Sequence, residues 1–154
     1  YVIVHPNNVS MPFLGRVTPS LGALPLPDDT AAYRNFAKAV EIRVSQGNAV
    51  VIYPEAHIWP YYTKIRPFTD VSFSYPVKHN APVFCFTNTY QKRWLGKRPR
   101  IVTYIDGPFF ANEALPMRAR KTDLRDRVYR CMCERAKNST VEQIKYIKRE
   151  DVNG

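Results

Sequence analysis

The chain has 154 residues, 45% of them hydrophobic, and its 23 lysines and arginines outweigh 13 acidic residues to give a formal charge of +10. That is the size of one ordinary domain with enough apolar mass for a core, which excludes disorder over the whole length. The charge favours anionic partners without choosing between nucleic acid, anionic lipid and phosphorylated substrates, and no run reaches the roughly 18 apolar residues of a membrane span.

Residues 1–4 read as a short buried strand that Pro6 ends. The chain starts inside this apolar run and is read as the continuation of something longer. Residues 7–22 carry Pro12, Gly15, Pro19 and Gly22 and are expected to be mostly loop. A second short strand is expected at 23–26. Asp28, Asp29 and Thr30 are candidate caps for a helix with Tyr33, Phe36, Ala37, Val40 and Val44 on one face, and Gly47 is its stop. Residues 49–53 give the clearest strand. A short helix is expected at 73–80 and strands at 82–89 and 100–106, with a turn or hairpin loop between them. A helical tail begins near Pro116, with Leu124, Val128, Cys131 and Met132 as its apolar stripe. Asp123 with Arg127, and Asp126 with Arg130, are spaced as i,i+4 pairs. The basic run 118–127 is expected to be a solvated helix face, and residues 140–149 a last short helix.

Helix, glycine and strand in quick succession point to a single α/β domain over 1–154, with a mixed, mostly parallel sheet flanked by helices. Ligands of such sheets gather beyond the carboxyl ends of strands. One carboxylate, Glu55, stands at such an end, in "VVIYPEAHIWPYYTKIRPF" (residues 50–68). A glycosidase would need a second carboxylate, for which Asp70 and Asp106 are available but not selected. The three cysteines, Cys85, Cys131 and Cys133, are an odd number, which argues against a disulfide scaffold. Cys131 and Cys133 do not face each other on a helix, and His5, His57 and His79 are scattered, so no metal is expected.

The quoted stretch resembles the phosphate-site motif of the lysophospholipid (glycerolipid) acyltransferases, a strand ending in Phe-Pro-Glu-Gly-Thr-Arg, then a basic loop, then Pro-Phe. Tyr53, Pro54 and Glu55 match its first part and Pro67-Phe68 its close. "APVFCF" (81–86) and "PRIVTYIDGPF" (99–109) are similar to the family's later strands, so the resemblance runs from about Pro12 to Arg135. Ala56, His57 and Ile58 replace the motif's Gly, Thr and Arg. Pro27 stands about where an arginine is usual, and Cys85 replaces the second proline of the later motif. The family's His-x-x-x-x-Asp is absent, since His5 is followed five places on by Ser10; the pair is expected either on an N-terminal part of the fold upstream, where the family carries it, or to have been lost.

The resemblance implies acyl transfer from acyl-CoA or acyl carrier protein to the hydroxyl of a lysophospholipid such as lysophosphatidic acid, in phospholipid synthesis. Neither metal nor other cofactor is implied. The upstream His would be the general base. Glu55 would support the site by orienting a cation or backbone amides, or by holding the loop's shape. Tyr53, Pro54, Ala56, His57, Lys64 and Arg66 would bind substrate, with Lys64 and Arg66 replacing the motif's arginine at the phosphate. Trp59, Tyr61 and Tyr62 are candidates for an acyl or headgroup pocket, an interfacial belt or core packing. The protein would lie peripherally on the inner, cytoplasmic face of a membrane, with Lys92, Arg93, Trp94, Lys97 and Arg98 as its contact with anionic lipid. No nucleic-acid module is recognisable and no nucleic-acid partner is expected. The alternative is a non-catalytic acyltransferase-like module that binds anionic lipid or a partner.

Overall fold

Two short β-ribbons, each backed by a helix, make up the fold in the computed structural model, which describes residues 1–6, 17, 20–27 and 29–147. Strand β1 (Val2–Val4) pairs in parallel with β2 (Ala23–Pro25). Residues 49–53 form no full strand. They add one parallel bridge on the other edge of β1, where Ile3 N donates to Val51 O at 2.9 Å and Val51 N to Tyr1 O at 2.8 Å. The ladder stays short because Pro6 and Pro54 interrupt both partners soon after the bridge.

Helix α1 (Thr30–Ser45) covers this ribbon. Asp29 caps it by accepting from Ala32 N at 2.7 Å, and Gly47 leaves it at φ 76°. Phe36 and Val40 bury against Ile3, while Tyr33, on the same expected face, stays half exposed and meets the Tyr75 hydroxyl at 3.4 Å. Asp28, the other expected cap, and most of the 7–22 loop lie outside the described residues.

A 3₁₀ turn (Val71–Phe73) leads into α2 (Ser74–His79), which Asn80 closes at φ 46°. Strands β3 (Val83–Gln91) and β4 (Arg100–Phe109) form an antiparallel hairpin, each strand running past its expected C-terminal end. Cys85, Thr87 and Thr89 alternate inward along β3 beneath α3 (Met117–Ala136). Leu124, Val128 and Met132 of that helix bury against Phe68, Phe73 and Cys85.

The fold is therefore α/β, but the expected single sheet, mostly parallel, is replaced by two separate ribbons, one parallel and one antiparallel. Three further expectations are corrected. Asp123 does pair with Arg127 at 2.9 Å, but the Asp126 carboxylate turns to Arg125 at 2.9 Å, leaving Arg130 Nε on the Asp126 carbonyl at 3.3 Å. The arginines of α3 do more than solvate a face. Arg120 donates to the carbonyls of Leu115 and Glu113, Arg125 to that of Phe68 and Arg127 to that of Phe110, which satisfies loop acceptors that have no ladder. Residues 140–147 are not helical. Thr140 N and Val141 N donate to Tyr90 O at 2.9 and 3.3 Å, and Ser139 Oγ accepts from Tyr90 N at 3.2 Å, so the segment lies along the edge of β3. These long-range bonds compete with the local helix pattern and win.

Candidate functional site

The loop from Tyr53 to Arg66 bridges the two cores, with Ile52 against the first and Ile65 against the second. It is held from within. Arg66 N donates to Glu55 Oε2 at 2.8 Å, and Arg66 Nε lies 3.6 Å from the same oxygen. The Arg66 guanidinium also donates to the carbonyls of Glu55 and His57, the latter at 2.8 Å, and lies 4.8 Å over the Trp59 ring. Both charged side chains are more than two-thirds covered, so this pair is better insulated than a surface bridge. Glu55 thus sits where the strand end places it, turned back on a cation and a backbone amide.

Arg66 is consequently a holding residue, not a free cation. Lys64 on the same loop is exposed, as are Tyr53, Ala56 and His57, while Pro54 is half covered. Ile58, at the position of the motif's arginine, is 92% exposed. The rings pack on one another. Trp59 meets Tyr62 edge-on at 5.1 Å and stacks on Tyr146 at 5.0 Å, while Tyr61 meets Tyr90 at 5.5 Å. Tyr146 also donates to Pro60 O at 2.8 Å. Sequence reasoning gave Tyr146 no role, because nothing local in 140–147 signals a partner far upstream.

Ala56 adopts φ 61°, in the left-handed region that favours glycine. Its amide donates to Tyr53 O at 3.1 Å and the next, His57 N, to Glu55 O at 2.7 Å, which makes a tight turn immediately after the strand end.

No family model, curated protein or solved structure matches this chain.

The geometry itself yields a first test. Ala56→Gly removes the Cβ strain at φ 61° and is expected to raise stability by about 0.5–1 kcal/mol, read as a higher urea midpoint with unchanged slope.

The two other carboxylates are engaged elsewhere. Asp106 forms a bidentate pair with Arg135, with Nε at 2.9 and 3.1 Å and the terminal nitrogen at 2.6 Å. Asp70 accepts from the Thr122 hydroxyl at 2.6 Å and pairs with Lys121 at 3.4 Å. The Arg135 bond holds the Asp106 carboxyl below its usual range, and the Thr122 bond, with Lys121, does the same for Asp70. Neither is poised as a general acid. Groups depressed in the fold stabilise it fully above their unfolded value, near 3.9, and lose that contribution as pH falls through their folded values. Asp106→Asn is expected to lower the urea midpoint at pH 7 and to flatten the fall in stability as pH drops below the unfolded carboxyl value, near 3.9.

Cys85 Sγ, Cys131 Sγ and Asp106 lie within 4.8 Å of one another. Cys131 thus faces Cys85 across the core rather than its sequence neighbour Cys133. Burial pushes the Cys85 thiol up to about 12 and raises that of Cys131 as well. With Arg135 on both oxygens of Asp106, the cluster reads as a partly buried tie between α3 and the hairpin.

The basic run forms the tip of the β3–β4 hairpin. Lys92, Arg93, Trp94, Lys97 and Arg98 are all exposed, Trp94 fully so, and none forms an ion pair among the described residues.

Proposed function

We propose that this chain is the acceptor-binding part of a glycerolipid acyltransferase-like domain, and that the complete protein transfers an acyl group from acyl-CoA or acyl carrier protein to a lysophospholipid hydroxyl such as that of lysophosphatidic acid. The observation that carries this reading is the turn at the end of the Val51 segment. Ala56 takes a left-handed φ of 61° where the resembled motif has glycine, and Glu55 beside it pins the returning loop through Arg66. A rigid turn with the exposed Lys64 on the same loop suits an anionic headgroup.

In this reading the residues here position the acceptor and do not move its proton. Lys64 meets the phosphate and His57 adds a hydrogen bond. Glu55 and Arg66 fix the loop, so that the hydroxyl is held in line for attack on the thioester. Its proton passes to a general base of a His-x-x-x-x-Asp pair that this sequence does not contain. No helix among the described residues is long and apolar enough to cross a membrane, and the exposed basic hairpin tip supports peripheral seating on the cytoplasmic face of an anionic bilayer.

A second reading, a non-catalytic module that binds anionic lipid, is favoured by one observation. The motif's arginine is an exposed Ile58, and Arg66 is committed to carbonyls of its own loop. Both readings need Lys64 at the phosphate. Lys64→Ala is expected to weaken lysophosphatidic acid binding about tenfold in a calorimetric titration, the loss of one charge-assisted bond; unchanged affinity would remove Lys64 from the site.

A further inference from the structure

The outer face of the β3–β4 hairpin is apolar where solvent would demand polarity. An antiparallel ribbon packed on one side alternates buried apolar with exposed polar residues. Here Cys85, Thr87 and Thr89 face inward, and Phe84, Phe86, Ile101 and Ile105 face out, 50%, 61%, 57% and 62% exposed. Phe86 lies opposite Ile105 and Tyr90 opposite Ile101, so the exposed side chains form cross-strand pairs rather than isolated spots. Together these four present on the order of 400 Å² of apolar surface, the size that marks an interaction site.

Nothing on this face is charged. Its one polar pair, Asn88 opposite Thr103, is joined by a hydrogen bond, the Thr103 hydroxyl donating to Asn88 Oδ1 at 2.7 Å. The usual protection of an exposed strand, an outward lysine, is absent from the body of the hairpin and concentrated at its tip. There Lys92, Arg93, Lys97 and Arg98 surround Trp94, 101% exposed, and Leu95, 81% exposed. The tip end of the apolar strip also borders the candidate site, since Tyr90, opposite Ile101, meets Tyr61 of the Glu55 loop at 5.5 Å.

We infer that the outer face of the hairpin and its tip are one continuous seat for an anionic bilayer. The four apolar side chains and the Trp94–Leu95 tip enter the interfacial region, and the unpaired cations meet lipid phosphates around them. Charge complementarity selects the bilayer over a second copy of this chain, whose tip would bring like charges together. The inference deepens the proposed function, because the tip end of this seat holds Tyr90 against Tyr61 of the Glu55 loop, which lets a lipid acceptor reach that loop without leaving the bilayer.

The test uses the complete protein and vesicles of phosphatidylcholine with and without phosphatidylglycerol, free of any acyl acceptor, so it is independent of turnover. The wild type is expected to sediment with the anionic vesicles. Phe86→Ser with Ile105→Ser, and separately Lys97→Glu with Arg98→Glu, should each reduce partitioning at least tenfold while far-UV circular dichroism is unchanged. Trp94 emission should shift to the blue on binding and be quenched by bromine-labelled lipid, and both signals should vanish in Trp94→Phe. Vesicle binding that survives Phe86→Ser/Ile105→Ser would overturn the proposal. So would a wild type that ignores anionic vesicles but is dimeric, with the same substitutions making it monomeric, since the face would then join two copies. Loss of acyl transfer with vesicle binding intact would count against the enzymatic reading and leave the seat standing.

Discussion

On the proposed acyltransferase reading, Glu55→Gln in the complete protein is expected to lower the rate of acyl transfer to lysophosphatidic acid by about 100-fold, with the domain still folded. The glutamine keeps the size of the side chain and an oxygen for the Arg66 amide, 2.8 Å away in the wild type. It loses the charge that holds the guanidinium 3.6 Å from that oxygen. The same guanidinium ties the carbonyls of Glu55 and His57 together and covers Trp59. Releasing it loosens the turn that presents Lys64, and a displacement of about 1 Å at a positioning site is enough for a loss of that size. Because Glu55 acts through other residues, the loss should fall on the acceptor, with KM for lysophosphatidic acid rising and KM for the acyl thioester unchanged. Initial rates at varied acceptor and donor separate the two. Wild-type rates, or an equal effect on both substrates, would return Glu55 to a loop carboxylate without a part in acceptor binding.

Leu124→Ala is expected to destabilise the domain by about 3–4 kcal/mol. Leu124 has no exposed surface and sits between Phe68, Phe73 and Cys85, where α3 meets the hairpin. Truncation there removes transfer energy and leaves a cavity that two aromatic rings and a β-strand cannot close. Leu95→Ala, at the hairpin tip with 81% exposure, should change stability by less than about 0.5 kcal/mol. Urea unfolding of the two variants beside the wild type checks both values; similar midpoints for the pair would mean that α3 does not pack as described.

Elements whose bonds close locally were legible in the sequence. Asp29 before an apolar periodicity and Gly47 after it bound α1 to within two residues at either end, because cap and stop are written next to the helix they serve. The same holds for α3 after Pro116 and for the hairpin around Gly96. What failed depended on distant partners. Residues 49–53 read as a strand, but a strand needs a neighbour of equal length, and β1 supplies three residues. Residues 140–147 read as a helix, but their amides go to Tyr90 and their Tyr146 to Pro60 and Trp59. At the site, a contact of Glu55 with a cation or backbone amides was among the roles expected of it, and it touches both on Arg66, although the strand expected before it is reduced to one bridge. The identity of that cation was not foreseen, and Arg66, expected to bind substrate, is committed to its own loop instead. Two positive residues on one loop look alike in sequence; only the fold shows that one points inward at carbonyls and the other into solvent.

The most direct test of the acyltransferase reading is to incubate the complete protein with isotopically labelled acyl-CoA or acyl carrier protein thioester and lysophosphatidic acid, and to follow labelled phosphatidic acid over time. Labelled product that forms in proportion to enzyme, and falls about 100-fold in Glu55→Gln, is the result expected. No product from either thioester with the folded, complete protein would contradict acyl transfer and leave the lipid-binding reading in its place.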